Sequence, residues 1–272
     1  MTAARELFLE AIAASDRAID LTEAALAIAA EEDPALQPQP YREQLDRLTE
    51  TLAQQMPEAP YPLRRIRAIN HYLFEQLGFH GNHRHYYDPA NSLLPRVLER
   101  RTGIPITLSL VYLELARRVG LPMVGIGLPG HFLIRPEFEG TGIFVDPFHS
   151  GDLLFEQDCA DRLQQLYGAG MVLRPEYLQP VQGRPFLARM LQNLKGCYLQ
   201  ASQLDRARAC LDRLLLLHPN DSTSLRERGI LNCHLEHWGE ARQDLETYLK
   251  RCPDAEDASS LRSLLDRLPL AF

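Results

Sequence analysis

The chain has 272 residues, of which 45 % are hydrophobic and 24 % are charged, and its formal net charge is −7. An acidic balance argues against a nucleic-acid partner, because affinity for phosphate backbones depends on clustered Lys and Arg. No apolar run approaches the roughly 20 residues of a membrane span, and the mixed charge of MTAARELFLE is unlike a secretory signal. We therefore expect a cytoplasmic protein, most simply with two domains, that has no membrane partner.

Cysteine and glycine usage argues against a bound cofactor. The five cysteines form no CxxC pair, and their odd number favours thiols over a disulfide framework: Cys159, Cys197, Cys210, Cys233 and Cys252. The Pro129-Gly130 pair lacks the GxxxxGK[ST] pattern and the lysine of a phosphate-binding loop. The sequence therefore predicts neither a cofactor nor a thiolate metal site.

The first part of the chain is rich in Ala, Leu and Glu and reads as helices broken by three prolines, Pro34, Pro38 and Pro40. A helix that starts near Tyr41 carries one apolar stripe formed by Leu45, Leu48, Leu52 and Met56. A second helix is predicted from Pro62 to Leu77, before Gly78. We assign residues 1–40 to N-terminal helices and place a separate domain after them.

The segment FHGNHRHYYD contains a candidate metal set made of His80, His83, His85 and Asp88, with His71 as a further candidate. Imidazoles favour zinc and related metals. The H-x-x-H-x-H spacing is irregular, however, and no predicted element brings these side chains together. We interpret the segment as a loop and expect no metal there.

The segment YYDPANS, just after these histidines, contains Asp88, Asn91 and Ser92. Asp before Pro and Asn before Ser are typical of turns and helix caps, which is our first interpretation. The alternative is that these three residues contribute to a ligand-binding cleft beside His131.

A helix is predicted from Pro105 to just before Gly120, followed by three short antiparallel strands, MVGIG, HFLIR and GIFVD. If residues 136–141 form a six-residue loop, His131 lies directly opposite Asp146 and the two side chains share one face of the sheet. A loop longer by one residue would put them on opposite faces. Such a pair could act as the base and orienting carboxylate of a catalytic triad.

The pattern GN…YYDPANSLL…VLERRTGIPITLSLVYLELARRVGLP…PGHFL…VDPF resembles the transglutaminase-like (papain-like thiol) superfamily. It is still more similar to the bacterial SirB-type family, in which such a domain precedes tetratricopeptide repeats, and a related segment occurs in an F-box adaptor of ubiquitin ligases. The resemblance implies an α+β, predominantly helical fold. A transglutaminase-like core with a small antiparallel sheet is expected at 41–180, and tetratricopeptide helix pairs with a capping helix at 181–272.

Active members of the superfamily carry a cysteine in the first turn of the helix that leads to ARRVGLP. Here that turn reads GIPITLS, so Thr107 and Ser109 are the available hydroxyls, and all five cysteines follow Asp146. A cysteine thiol has a pKa of about 8.5, and the pKa of a hydroxyl is far higher. We favour a non-catalytic regulatory or protein-interaction scaffold over the alternative, a peptide or amide hydrolase or transamidase that uses Thr107 or Ser109 with His131 and Asp146.

The last third of the chain repeats with a period of 34 residues: Ala207 and Ala241, Leu211 and Leu245, Pro219 and Pro253. These small, large and helix-ending positions are those of tetratricopeptide helix pairs, with ASSLRSLLDRL as the capping helix. We expect a protein or peptide partner, contacted by the inner face of the first helices through Arg189, Gln192, Arg226 and His234. The alternative is a solvated or covered face, and the sequence leaves the oligomeric state open.

Overall fold

The computed structural model describes residues 3–58, 61–138 and 142–269. The chain divides into two compact units, Met1–Leu187 and Ala188–Phe272. The first combines helices with a small sheet and the second is entirely helical in its described part. None of the described helices combines the length and the apolar character needed to cross a bilayer.

The described part of the first unit contains seven complete α-helices: α1 Ala3–Ala11, α2 Leu21–Glu32, α3 Gln39–Gln55, α4 Pro62–Asn70, α5 Leu94–Arg100, α6 Pro105–Arg118 and α7 Glu156–Tyr167. Proline opens α4 and α6, where a missing N–H costs no hydrogen bond. The helix predicted to Leu77 continues beyond α4 as a π-helical turn, His71–Gln76. In α3 the predicted stripe buries Leu45 and Leu52, which are 1 % and 0 % exposed.

The sheet contains the three predicted strands and two short additions. Its strands are β3 Met123–Ile126, β4 Leu133–Pro136, β5 Phe144–Asp146, β6 Asp152–Leu154 and β7 Pro180–Val181. All pair antiparallel, in the order β6-β5-β4-β3-β7. Two further short strands, β1 His80–Gly81 and β2 Thr102–Gly103, pair parallel to each other. Residues 139–141 of the predicted loop lie outside the described part of the chain.

The helix α6 lies at the centre of the first unit, in contact with β3 and β4, and most of its side chains are buried. Its fully buried Tyr112 donates a hydrogen bond from its hydroxyl to Asn70 Oδ1 at 3.0 Å. Asn70 in turn donates from Nδ2 to the carbonyl of Gly151 at 2.7 Å. Gly151 has φ +80°, and a Cβ there would lie 2.5 Å from the Asn70 side chain. This network fixes the turn that follows β5.

Helix α8 Gly183–Gln200 begins in the first unit and continues into the second, which also contains α9 Leu204–Leu217, α10 Ser222–His234, α11 Trp238–Arg251 and the capping helix α12 Ala258–Arg267. The predicted period of 34 residues recurs in the helix bounds, since α9 and α11 start and end 34 residues apart. The turns between paired helices repeat it too, because Ser202 and Glu236 both have left-handed φ, at 56° and 60°. The prediction of tetratricopeptide helix pairs is therefore confirmed.

Candidate functional site

Asp146, at the end of β5, is the centre of the candidate site and is fully buried. Its Oδ1 accepts hydrogen bonds from the backbone N–H of Phe148 at 3.0 Å and of His149 at 3.3 Å, which starts the 3₁₀ turn Pro147–His149. Its Oδ2 lies 2.8 Å from His131 Nε2 and 2.8 Å from His149 Nδ1. The guanidinium of Arg162, on α7, contacts the same Oδ2. One carboxylate oxygen therefore serves three side chains.

The electrostatic balance at Asp146 favours the ionised carboxylate. Burial alone would raise the pKa of this carboxyl, but the hydrogen bonds from His131, His149 and Arg162 outweigh it and hold the pKa well below its usual range. Because the carboxylate accepts from both imidazoles, each neutral ring carries its proton on the nitrogen that faces Asp146.

His131 reaches Asp146 from just before β4, and the predicted direct opposition of the two residues is wrong. Ile134 pairs with Val145, so the register places Leu133 opposite Asp146. The shift is two residues, and because side chains alternate with period two, an even shift keeps them on the same face. The Pro129-Gly130 pair forms the preceding turn, with φ +71° at Gly130 and a hydrogen bond from the His131 N–H to the Leu128 carbonyl.

Three imidazoles surround Phe148, the middle residue of the 3₁₀ turn. The ring of His83 lies 4.4 Å from that of Phe148 and 5.3 Å from that of His149, and the ring of His131 lies 5.7 Å from that of His149. Phe148 packs so closely on β1 that a Cβ at Gly81 would lie 2.5 Å from its carbonyl oxygen. Of the histidines in the predicted loop, His83 therefore lies beside the site.

Two other members of the predicted metal set, His80 and His71, contact groups other than Asp146. His80 hydrogen-bonds the Gly78 carbonyl and Thr102 Oγ1, and His71 pairs with Glu75. Within the described residues, one group has ligand atoms close enough to hold a metal ion, namely His131, Asp146 and His149, with all three atoms within 4.8 Å of one another.

The two candidate hydroxyls of α6 are both buried. Thr107 Oγ1 lies 2.6 Å from the Asn91 carbonyl and 3.2 Å from that of Ile104, and it accepts from the Ile104 N–H at 3.1 Å. Ser109 Oγ is buried without a hydrogen-bond partner among the described residues. In the part of the chain that the structure describes, neither hydroxyl is therefore hydrogen-bonded to His131.

Asp88 and Asn91 make the contacts expected of turn residues. Asp88 Oδ1 accepts from the Ala90 N–H at the start of the 3₁₀ turn Pro89–Ser92, and its Oδ2 pairs with Arg100 at 2.8 Å. Asn91 Nδ2 donates to the carbonyls of His85 and Tyr86. Ser92 Oγ is buried, and no described residue hydrogen-bonds it. Their role in a ligand cleft stays a prediction.

One cavity of about 420 Å³ in the first unit is lined by residues 84–88 and therefore includes Asp88 and His85. A cavity of about 520 Å³ in the first unit is lined by parts of α6 and β3, including Leu110, Leu113, Met123 and Val124, and contains none of the predicted site residues.

Cys159, on α7, is fully buried, and burial raises the pKa of its thiol to about 11. A thiol with so high a pKa is a poor nucleophile.

The second unit has a groove of about 360 Å³ between α8, α9 and α10, lined by both apolar and charged side chains. It includes Arg226 and His234 from the predicted peptide-binding set, whereas Arg189 and Gln192 are not among its lining residues. Lys195 takes part instead and forms an ion pair with Glu227. Arg226 contacts Asp257, at the start of α12.

Residues 39–192 match the transglutaminase-like superfamily, and residues 194–266 match tetratricopeptide repeats. A UPF0162 protein of Xylella fastidiosa (strain 9a5c) is 37 % identical over 254 residues, which cover 92 % of this chain and 90 % of that protein. The chain belongs to the UPF0162 family. This confirms the predicted succession of a transglutaminase-like domain and tetratricopeptide repeats.

More distant relatives share the same region in part. A UPF0162 protein of Vibrio cholerae is 29 % identical over 205 residues, 75 % of this chain and 76 % of that protein. Human F-box only protein 21 is 33 % identical over 187 residues, which cover 64 % of the chain but 29 % of that longer protein. No solved structure gave a significant match.

His149 and Arg162 are the site residues that sequence reasoning missed. The signal for His149 was present, because DPFH places a histidine three residues after an aspartate that starts a tight turn. Arg162 carries no comparable signal, since α7 brings it to Asp146 from a different element.

Proposed function

We propose that this UPF0162 protein is a non-catalytic scaffold that binds a protein or peptide partner through the groove of its second unit. The observation that carries the absence of catalysis in this proposal concerns Thr107. Its hydroxyl is fully buried and hydrogen-bonded to backbone groups at the start of α6. A nucleophile must be within hydrogen-bond reach of its base. Ser109 is also fully buried, and no group in the described parts of the chain hydrogen-bonds its hydroxyl.

The chemistry of the groove supports a peptide ligand. Leu199, Leu204 and Ile230 contribute apolar surface, and Leu199 is 44 % exposed despite its size. Such a surface gains free energy when an apolar side chain covers it, by roughly 25 cal/mol per Å² buried. Glu227 and His234, which also line the groove, can fix the direction and register of the bound chain through polar contacts.

A photo-crosslinking amino acid at Leu199, in the full chain expressed in its host cells, tests this function. We expect a discrete crosslinked partner that is absent with the crosslinker at Gln243, an exposed position on α11 that does not line the groove. The adduct should weaken in a His234→Ala background and persist in a His131→Gln background. Equal crosslinking at both positions, or loss of the adduct in His131→Gln, would contradict the proposal.

A second candidate function, a peptide or amide hydrolase or transamidase, is supported by the 2.8 Å contact between His131 and Asp146. That function requires Thr107 or Ser109 to react. Incubation with a fluorophosphonate probe and peptide mass spectrometry distinguishes the two functions, since the scaffold predicts unlabelled hydroxyls. Labelling of Thr107 or Ser109 that disappears in His131→Gln would favour the enzyme.

A further inference from the structure

The contacts around Asp146 Oδ2 contain more than a catalytic dyad requires. A dyad needs one imidazole on the carboxylate, whereas here Nε2 of His131 and Nδ1 of His149 both approach the same oxygen, each at 2.8 Å. The two rings come from different elements, one just before β4 and the other on the 3₁₀ turn after β5. Two imidazole nitrogens and one carboxylate oxygen thus converge on one point.

We propose that His131, Asp146 and His149 form a binding site for a divalent first-row transition-metal ion, with Zn²⁺ as the best-suited ion. Imidazole and carboxylate are ligands that zinc accepts, and three protein ligands leave a position for water or another group. The site is independent of the peptide-binding groove and of any hydroxyl nucleophile.

The two nitrogen–oxygen distances at Asp146 Oδ2 must lengthen when an ion enters. An ion about 2.1 Å from each ligand atom in a tetrahedral arrangement separates those atoms by roughly 3.4 Å. The two histidine nitrogens start 2.8 Å from Oδ2, so each pair must separate by roughly half an ångström. His149 can move, because its side chain is 38 % exposed, whereas His131 and Asp146 are 8 % and 0 % exposed. Its exposure also provides the entry path for the ion.

The surroundings orient the ligands as metal sites require. Metal-binding carboxylates are usually held by further hydrogen bonds. Oδ1 of Asp146 accepts from the N–H groups of Phe148 and His149, which fixes the carboxylate and leaves Oδ2 facing the rings. The ring of His83, 5.3 Å from that of His149, adds a neighbouring imidazole on the open side.

The protons that the metal displaces from the two rings are accounted for by a change of tautomer. In the metal-free protein the neutral rings donate from His131 Nε2 and His149 Nδ1 to the carboxylate. A metal takes the lone pair of each of these nitrogens, so the proton of each ring must move to its other nitrogen through solvent. A ring that is cationic beforehand releases one proton to solvent.

Arg162 competes with the metal for Asp146, so the proposal predicts that removing this arginine raises the affinity for metal. Its guanidinium contacts the same Oδ2, so an entering cation must displace it, and the side chain is 21 % exposed. Removal of this positive charge should strengthen metal binding, although the same change would weaken a purely hydrogen-bonded cluster. A metal site and a structural remnant therefore predict different responses to Arg162→Gln.

The test is a titration of the chelator-stripped full chain with Co²⁺, followed by visible absorption, and with Zn²⁺, followed by calorimetry. We expect one equivalent to bind, at least about tenfold weaker in His149→Ala and several-fold tighter in Arg162→Gln. His71→Ala, on the exposed π-helical turn, is the matched control and should bind as the unchanged chain does. Zn²⁺ should raise the melting temperature of the unchanged chain but not that of His149→Ala, provided both show the same circular dichroism without metal.

Several outcomes would overturn the proposal. Saturable binding that is unchanged in His149→Ala would place the ion elsewhere, as would loss of binding in His71→Ala. Absence of binding at stoichiometric metal in both the unchanged chain and Arg162→Gln would leave the cluster as hydrogen-bonded only. If His149→Ala is misfolded, His149→Phe, which retains an aromatic ring without a ligand atom, replaces it in the same titration.

Discussion

Arg228 of α10 donates two hydrogen bonds of 2.8 Å each to the carboxylate of Asp244 of α11. Its third nitrogen donates to Asp212 of α9 at 2.9 Å. Asp244 is 4 % exposed, so its charge is nearly removed from water. One arginine thereby links three successive helices of the second unit.

Arg228→Ala should destabilise the second unit by about 3 kcal/mol, because it leaves the buried Asp244 without its cationic partner. Urea unfolding followed by circular dichroism measures the change. The control is Lys250→Ala, an exposed residue of α11, which should alter the free energy of unfolding by less than about 0.5 kcal/mol. Equal effects of the two substitutions would show that the three-helix contact contributes nothing.

Gly229→Ala should destabilise the protein although alanine favours helices. A Cβ at Gly229 would lie 2.8 Å from Leu245 Cγ, and Leu245 is fully buried and unable to yield. We expect a loss of about 1 to 3 kcal/mol in the free energy of unfolding. Gly196→Ala, on α8, is the matched control, because a Cβ there would meet no packing neighbour among the described residues within 4 Å. We expect this substitution to raise the free energy of unfolding by up to about 1 kcal/mol.

Thr107→Val should cost about 1 to 2 kcal/mol of stability, because the Ile104 N–H and the Asn91 carbonyl both lose their hydroxyl partner. Thr107→Ser retains the hydroxyl and should recover most of this loss. Thr51→Val, at an exposed position of α3 where the hydroxyl bonds the Arg47 carbonyl, should have a smaller effect. A neutral Thr107→Val would remove the structural role that we assign to this hydroxyl.

Glu114→Gln tests a pH dependence. Burial would raise the pKa of Glu114, but hydrogen bonds from Arg117 and Arg118 prevail and lower it. A lowered folded-state pKa means that the stabilisation is complete above the unfolded value near 4.3 and disappears as the pH falls through the folded value. The difference in unfolding free energy between the unchanged chain and Glu114→Gln should therefore be constant from pH 6 to 8 and shrink below about pH 4.

Denaturation series at several pH values, with Glu50→Gln at an exposed position as control, would show this dependence. A difference that grows on acidification would have the wrong sign and would reject the assignment.

What the sequence could predict depended on repetition and local pattern. The 34-residue period located the helix pairs, because the same small and large positions occur in both repeats, as Ala207 and Ala241 illustrate. The three strands followed from short apolar runs bounded by turns. His131 and Asp146 were brought together despite a register error of two residues, since an even error preserves the face.

What the sequence could not predict are contacts made between elements. Arg162 and Lys195 join their sites from helices whose packing no local pattern specifies. The commitment of Thr107 was equally hidden, because its acceptor, the Asn91 carbonyl, is sixteen positions earlier in the chain.

The two ends of the five-stranded sheet have a consequence for assembly. Its outer strands, β6 and β7, have three and two residues, and β7 begins with Pro180, whose nitrogen has no hydrogen to donate. Short edges that contain proline offer a poor template for another chain and protect against edge-to-edge aggregation. Recruitment by strand addition is thereby disfavoured, and a mutation that lengthened β7 would be expected to promote self-association.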